Sequence, residues 1–302
     1  MQLQQLLFEY EAFLVSRTHK STTDTYMRII RQLVLWITNQ NSSSGIFEQF
    51  SKDVLKTYIT HLEATGYSAT HLARVKSAIS GFARWLIESK GILISNPTSG
   101  LSIPQQPFQG NSGLSQSQRQ ILQKLVLVDG KKRSLAIWAL GYWAGCSVSD
   151  IAWLRETDTH ISLKQGWISV GYKIGKVRDI NLITEARRPL CEYIYSDERN
   201  HESRYTFTSQ RHERLTEAGI HRWWKNIKSL ALPQEYPLIE SVTFHDLRHD
   251  FAHRMCQAGW TLEQVAYYLG HMTKWGTPSL QTTARYQYRS AATHVKSLSH
   301  NE

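Results

Sequence analysis

Residues 243–249, with the sequence TFHDLRH, predict an amphipathic helix with one basic and one apolar face. His245, Arg248 and His249 stand three and four positions apart, so on a helix they share one face. Apolar residues at helical spacing form the neighbouring face: Leu247, Phe251 and Met255. Such a helix can bury its apolar side and present three nitrogen-bearing groups at one point.

Two downstream segments supply groups that could act together with these nitrogens. Residues 269–271 read LGH, where Gly270 suits the left-handed position that ends a helix and fixes His271 just after it. Residues 282–286 read TTARY and end on Tyr286. A guanidinium can bind two phosphate oxygens, an imidazole has a pKa near working pH, and a phenol offers an oxygen nucleophile. This set suits attack on a phosphodiester without a metal or any other cofactor.

The composition favours a polyanionic partner. The 302 residues contain 35 Lys and Arg against 25 Asp and Glu, and the pI is about 9.5. Nucleic acid is preferred to a membrane surface, because the longest apolar run, residues 135–146, is too short for a bilayer and the polar N-terminus lacks a signal-peptide segment. Three scattered cysteines suit neither a disulfide framework nor a zinc site, so we expect a reduced, cytoplasmic setting.

A segment rich in proline and glycine divides the chain. Residues 1–104 repeat apolar side chains at helical spacing and predict an all-helical domain. Residues 105–113 are the expected linker, and residues 114–302 the second domain. Within the second domain, residues 167–182 alternate at period two around a turn-like centre and predict a β-hairpin. We therefore expect a multidomain, mainly α protein with one small antiparallel sheet.

In combination, these motifs resemble those of the tyrosine recombinases of the phage-integrase and Xer-like family, and the resemblance covers nearly the whole chain. The sequences H-x-L-R-H, L-G-H and T-T-x-x-Y are specific together, and the paired threonines select Tyr286 over its rival Tyr288. Residues 172–178 resemble the family's G-K-x-x-K-x-R turn, which implies that Lys173 is the catalytic lysine, with Lys176 as the alternative. The first domain resembles the family's core-binding, SAM-like domain.

The resemblance implies type IB chemistry on double-stranded DNA. The Tyr286 oxygen would attack the scissile phosphate and leave a 3′-phosphotyrosyl bond and a free 5′-hydroxyl. Arg248, His245 and His271 would stabilise the transition state, and the lysine would protonate the departing oxygen. His249 is expected to support them. No metal or cofactor would be required.

The expected function is site-specific recombination: integration, excision, inversion or resolution, as for a mobile element. The family acts as a tetramer on two paired sites, so a homo-oligomer on DNA is expected, with accessory proteins as further possible partners and no membrane. Two alternatives stay open at this point. One is a DNA-binding regulator or accessory factor of recombinase descent that no longer cuts, and the other is a type IB topoisomerase.

The chain departs from the family at the first catalytic arginine. The family motif T-G-L-R-x-S-E-L corresponds to residues 144–151, AGCSVSDI, so Ser147 stands at the arginine position while Asp150 keeps the acidic one. A serine cannot supply a charged, bidentate phosphate clamp. Arg133 is the expected substitute for this arginine. Lys132 and Arg155 are the other basic residues close to the motif in sequence.

A second departure is the length of the segment between His271 and Thr282, which exceeds what the family usually has. It contains Trp275, Gly276 and Pro278. It could be a flexible tether that lets Tyr286 swing into place, or a surface loop.

Lys176 in the hairpin turn and two sets of basic residues are candidates for contacts with DNA. The first lies on the polar face of a predicted helix in the N-terminal domain: Arg74, Lys76 and Arg84. A solvated helix face explains any one of them equally well. The second lies in residues 211–228, which resemble the family's stretch that places a helix in the major groove: Arg211, Arg222 and Lys225. The interleaved Trp223 and Trp224 are better explained as core side chains than as base-stacking groups.

Overall fold

The computed structural model describes residues 3–40, 50–103, 113–162, 164–175, 177–209, 212–273 and 275–284. The chain separates into two compact units, Met1–Pro107 and Phe108–Glu302. The division falls within the expected linker, most of which lies outside the described residues. Across the described ranges, no helix combines the length and apolarity that a membrane crossing requires.

The first unit contains four helices in its described part. They are α1 (Leu3–Val15), α2 (Lys20–Gln40), α3 (Lys52–Ala64) and α4 (Ala69–Glu88). Serine N-caps begin α3 and α4: Ser51 accepts a hydrogen bond from the amide of Val54, and Ser68 from that of His71. The apolar faces of the helices meet in one buried core around Tyr10.

The second unit is mainly helical with one small sheet. Its helices are α5 (Gln116–Asp129), α6 (Lys132–Trp143), α7 (Val148–Ala152), α8 (Thr184–Ile194), α9 (Glu217–Lys228), α10 (Tyr236–Ile239), α11 (Phe244–Gln257), α12 (Leu262–Leu269) and α13 (Leu280–Thr283). Its strands are β1 (Thr159–Ile161), β2 (Gly166–Val170) and β3 (Arg178–Asn181).

The sheet is antiparallel, in the order β1-β2-β3. Val170 pairs with Arg178 and Ile168 with Ile180, so β2 and β3 form the hairpin that the alternating pattern predicts. Strand β1 pairs with β2 through three residues. The turn between β2 and β3 carries a short 3₁₀ helix, Tyr172–Ile174.

Helix α6 lies at the centre of the second unit. Nearly all of its side chains from Ser134 to Tyr142 are buried, as expected of a helix surrounded by protein. A side-chain carbon at Gly141 would lie 2.7 Å from the Phe244 ring, so glycine is what lets α11 approach this closely. Helix α11 carries Arg248, and its close packing on α6 fixes the depth at which that residue lies.

Asp250 on α11 joins this helix to the start of α5. Its carboxylate is fully buried and accepts hydrogen bonds from the guanidinium of Arg119 (2.7 Å), the amide of Leu114 (2.9 Å) and the guanidinium of Arg254 (2.9 Å). A buried charge with several good partners is strongly destabilising to remove, because the partners are left uncompensated.

We expect Asp250→Ala to lower the free energy of unfolding by about 3–5 kcal/mol, measured by urea denaturation. Glu192→Ala is the matched control, since Glu192 also forms an i,i+4 pair with an arginine, Arg188 (2.9 Å), but both side chains are exposed. That control should lose no more than about 0.5 kcal/mol. Equal losses from the two substitutions would show that Asp250 does not have this structural role.

Candidate active site

Arg248 is the centre of the candidate site. It lies on α11, whose first turn is fixed by hydrogen bonds from the amide and the hydroxyl of Thr243 to the Asp246 carboxylate (both 2.7 Å). The Arg248 side chain is buried, and its guanidinium donates to the carbonyls of Gly145 (2.9 Å) and Leu269. These carbonyls follow α6 and end α12, so two separate chain segments fix the orientation of the guanidinium.

His271 lies beside this guanidinium, immediately after α12. Gly270 ends that helix in the left-handed conformation (φ 71°), as the sequence predicts. Nε2 of His271 lies 3.4 Å from Nη2 of Arg248, and Nδ1 lies 3.2 Å from the hydroxyl of Thr283. An arginine can only donate, so we assign the ring proton to Nδ1, which donates to Thr283.

Thr283 extends this line of hydrogen bonds. Its side chain is fully buried, and its hydroxyl donates to the carbonyl of Ser279 (3.0 Å). The line therefore runs from Arg248 through His271 and Thr283 to the backbone of the segment that precedes Tyr286. Tyr286 and its rival Tyr288 lie outside the described residues.

His271 is neutral at physiological pH. Burial lowers its pKa to about 3, with further contributions from the positive charges of Arg248 and Arg178. Only the neutral ring can accept from Arg248 and donate to Thr283 at the same time. The low pKa therefore preserves the line of hydrogen bonds.

Asp150 is the acidic partner of the site, buried to 6% exposure on α7. Its Oδ2 lies 2.9 Å from Nη2 of Arg178 and 3.6 Å from Nη1 of Arg248. Burial opposes ionisation of this carboxyl, but the charges of the two arginines hold its pKa below the usual value. Two guanidinium groups share one carboxylate, so these three residues carry a net positive charge.

Ser147 serves α7 as its N-cap. Its hydroxyl accepts from the amide of Asp150 (3.1 Å) and donates to the Asp150 carboxylate (2.8 Å), while its own amide donates to the same oxygen (2.9 Å). This capping box orients Asp150 toward the arginines. Ser147, which the sequence analysis expects at the family's arginine position, is therefore part of the support of the site.

Arg178 is the residue of this cluster to which the sequence analysis assigned no role. It begins β3, is buried with Asp150, and donates from Nε to the carbonyl of Tyr268 (2.8 Å). A side-chain carbon at Gly270 would lie 3.0 Å from its Nη1. The available signal was its place as the last residue of the turn motif, residues 172–178.

Arg133, the expected substitute for the missing arginine, has its contacts elsewhere in the structure. Arg133 lies at the start of α6, whereas Gly145, which contacts Arg248, follows the end of that helix. Arg133 and Trp143 are separated by about 15 Å along the helix axis. Arg133 instead donates to the carbonyl of Thr208 (3.4 Å), and its amide binds Glu198 (3.0 Å). Arg133 is close to Gly145 in sequence, but the length of α6 separates it from Arg248 in space.

The two remaining alternatives for that arginine have other contacts. The amide of Lys132 also binds Glu198 (2.8 Å), at the same end of α6. The guanidinium of Arg155 lies over the ring of Tyr172, 5.3 Å from its centroid.

Lys173 lies on the turn between β2 and β3. Its ammonium forms an ion pair with Glu217, in the first turn of α9, and is partly exposed. In this conformation its charge is directed to α9. Lys176, the alternative lysine, lies outside the described residues.

His245 and His249 lie on α11 as predicted, one turn apart. Their rings make an edge-to-face contact with centroids 4.4 Å apart. Desolvation lowers the pKa of His245, with a further contribution from the charge of Arg248 and an opposing one from Asp246. His245 is therefore neutral at physiological pH.

The basic residues proposed for DNA contact have different surroundings. Arg74 and Arg84 are exposed on α4, while the ammonium of Lys76 donates to the carbonyl of Leu101 and so supports the first unit. Arg222 and Lys225 are exposed on α9. Arg211 lies outside the described residues.

The tryptophans interleaved with the second basic set belong to the core. Trp224 is buried and donates to the carbonyl of Val242 (3.0 Å). Trp223 packs against the same core and donates to the hydroxyl of Ser134 (2.8 Å). Neither indole is available for stacking on a base.

Family models match most of the chain. Residues 115–292 match the model described as phage integrase family, and residues 7–90 match that of the phage integrase N-terminal SAM-like domain. The chain belongs to the phage integrase family.

Similar proteins span nearly the whole length. Tyrosine recombinase XerC of Neisseria gonorrhoeae is 26% identical over 286 residues, which cover 92% of this chain and 89% of the relative. XerC of Herpetosiphon aurantiacus is 27% identical over 303 residues, or 97% and 94% of the two chains. XerD of Oceanobacillus iheyensis is 25% identical over 257 residues, or 83% and 84%.

Solved structures share the fold at lower identity. The Tn1549 transposon integrase in complex with transposon right end DNA has a TM-score of 0.68 at 17% identity, covering 99% of this chain and 100% of that one. A lambda integrase tetramer bound to a Holliday junction has a TM-score of 0.66 at 17% identity, covering 94% and 77%. The predicted fold class, the tyrosine recombinase resemblance and the class of DNA strand-transferring enzyme are confirmed.

We expect Thr283→Val to slow DNA cleavage by about tenfold, because valine leaves the Nδ1–H of buried His271 without its acceptor, at a cost of about 1–3 kcal/mol. Thr283→Ser should retain cleavage. Thr282→Val is the matched control, since the Thr282 hydroxyl is exposed and pairs with that of Ser279 (2.8 Å).

Nitrogen NMR of the histidines separates this role from simple packing. Thr283→Val should reduce the population of the Nδ1–H tautomer of His271, and Thr283→Ser should restore it. Wild-type tautomer populations in Thr283→Val would contradict the assigned direction of the hydrogen bond.

Proposed function

We propose that this protein recombines double-stranded DNA at specific sites through a covalent bond to Tyr286, with Arg248 and His271 beside the scissile phosphate. The observation that carries the proposal is the line of hydrogen bonds from Arg248 through His271 to Thr283, which ends three residues before Tyr286. It couples the phosphate-binding group to the segment that brings the nucleophile. The family membership and the similarity to DNA-bound integrases support the same activity.

The proposed reaction is an exchange of one ester for another. The Tyr286 oxygen forms a bond to phosphorus as the bond to the 5′-oxygen breaks, and Lys173 supplies the proton that the departing oxygen takes. To do so Lys173 must leave Glu217. His245, being neutral, is available to accept the phenol proton. The phosphotyrosyl bond keeps the bond energy, so a second 5′-hydroxyl can rejoin the strand.

We further propose that Arg178, an arginine that the family's turn motif also has, is the second positive charge of this site beside Arg248 where the family's first arginine is expected to be missing. Arg178 is buried with Asp150 and contributes to the low pKa of His271, so its field reaches the Arg248 cluster. Because its donors are directed to Asp150 and Tyr268, it acts by charge and by holding Asp150 in place.

The proposed substrate is duplex DNA, bound by a homotetramer on two paired sites, as in a mobile element. Exposed basic residues on α4 and α9 are the proposed DNA contacts: Arg74, Arg84, Arg222 and Lys225. The similar integrases were solved on DNA as a dimer and as a tetramer. The family and its Xer relatives favour recombination over the topoisomerase and over a regulator that does not cut. Accessory proteins and the cytoplasmic location stay predictions.

A nicked suicide duplex tests the nucleophile, using a site selected by the protein itself from a random-sequence library. Wild-type protein should form a covalent adduct that survives a denaturing gel, and Tyr286→Phe should form none. Tyr288→Phe is the matched control and should react like the wild type. An adduct with Tyr286→Phe would move the nucleophile elsewhere, and no adduct with the wild type would favour the regulator.

The role of Arg178 is tested against Arg133 on the same substrate. We expect Arg178→Met to lower the cleavage rate by about 10²–10³-fold, as for loss of a transition-state charge, and Arg178→Lys to lower it less. Arg133→Ala should change the rate less than about twofold, because Arg133 lies at the far end of α6. Thermal melting identifies any variant that fails to fold.

Loss of cleavage with Arg133→Ala alone would contradict this assignment. So would a folded Arg178→Met protein that cleaves at the wild-type rate.

A further inference from the structure

In its described residues, the long segment after His271 is closed into a hairpin by contacts between its two sides. Met272 and Pro278 make an antiparallel bridge, the amide of Thr273 donates to the carbonyl of Thr277 (2.8 Å), and the two threonine hydroxyls are 2.8 Å apart. Of the two possibilities left by the sequence, a tether or a surface loop, these bonds favour a folded surface loop in the described residues.

Trp275 stands at the tip of this hairpin. Its amide donates to the hydroxyl of Thr273 (3.2 Å), and the following Gly276 has a φ of 77°, which closes the turn. The residue is 79% exposed. An indole with this exposure is a large, flat and rigid surface that can stack on a planar ligand.

The base of the hairpin is tied to the active site. The hairpin begins immediately after His271, and the amide of Ser279, at its far end, donates to the carbonyl of His271 (2.6 Å). Trp275 follows His271 by four positions, so the two Cα atoms lie no more than about 14 Å apart. If His271 is beside the scissile phosphate, the indole is within a few base pairs of the cut.

During strand exchange, the bases beside the cut become unpaired and can stack on a nearby indole. A cut strand must leave its complement before it can pair with a new one, so the bases beside the cut pass through an unpaired state. An unpaired base exposes its π-face, and an aromatic side chain stacks on any base with little sequence preference. A fully paired duplex offers no such face within its stack.

We propose that Trp275 stacks on the unpaired bases next to the cut and stabilises the open strand end during exchange. This proposal rests on the proposed function, since it requires the His271 region to face the scissile phosphate. Trp275 is then a DNA-binding residue for the intermediate, and the hairpin is the element that presents it.

The test compares two duplexes that carry the selected site. One is fully paired, and the other has three mismatched base pairs next to the cleavage position, with 2-aminopurine in place of one mismatched base. The full-length Tyr286→Phe protein serves as the background, so binding is measured without cleavage. Affinity and 2-aminopurine quenching are the two readouts.

The parent protein should bind the mismatched duplex about tenfold more tightly than the paired one and quench its fluorescence, as for one stacked base. Trp275→Ala should abolish both the preference and the quenching, with affinity for paired DNA unchanged. Trp275→Phe should retain most of the preference. Trp167→Ala is the matched control, since Trp167 is a partly exposed tryptophan on β2 that stacks on His160, and it should behave like the parent.

Two results would overturn the proposal. Quenching and preference that persist in Trp275→Ala would show that the indole does not contact the open bases. In the second, Trp275→Ala lowers the affinity for both duplexes by the same factor, and the oligomer on DNA is lost in a native gel. That result would assign the ring to a contact between copies of the protein. Failure of the covalent chemistry is recorded separately, by the absence of a wild-type adduct on the suicide duplex.

Discussion

The carboxylate of Asp150 is the group on which the candidate active site depends. An isolated buried charge is expensive, so Asp150, Arg178 and Arg248 can be buried only as a set, with separations of 2.9 and 3.6 Å from the carboxylate. Each member comes from a different element, α7, β3 and α11, and the set therefore forms only when the sheet and both helices have assembled. Because two cations share one anion, the completed set has an excess positive charge, which is what an anionic phosphate requires.

Burial, reinforced by the same excess charge, determines the state of His271. Desolvation of the ring lowers its pKa to about 3, and the positive charges of Arg248 and Arg178 add to that effect, so the ring is neutral. Neutrality then has a geometric consequence. With one acceptor and one donor, the ring can bind Arg248 on one side and Thr283 on the other, and a protonated ring could not. The electrostatics of the cluster thus sets the alignment of the segment that leads to the predicted nucleophile.

The sequence predicts what is local and periodic. Alternation over residues 167–182 predicts the hairpin, helical spacing predicts the shared face of His245 and Arg248, and a glycine stop predicts where His271 lies. The ion pair of Arg178 with Asp150 joins residues 28 positions apart and has no periodic signal, so it was missed. Strand β1 has only three residues, too few for a pattern. Arg133 shows the converse, because it is near Gly145 in sequence but α6 separates the two by about 15 Å along its axis.

Ser147, at the position where the family's first arginine is expected, has a structural role of its own. Ser147 makes three hydrogen bonds with Asp150, and α7 has only five residues, so the cap supports a large share of that helix. An arginine side chain at this position would lose the hydroxyl cap and add a third cation competing for one carboxylate. Asp150 is therefore held on one side by the cap of its own helix and on the other by Arg178 and Arg248, and neither arginine has to share the carboxylate with a third cation from residue 147.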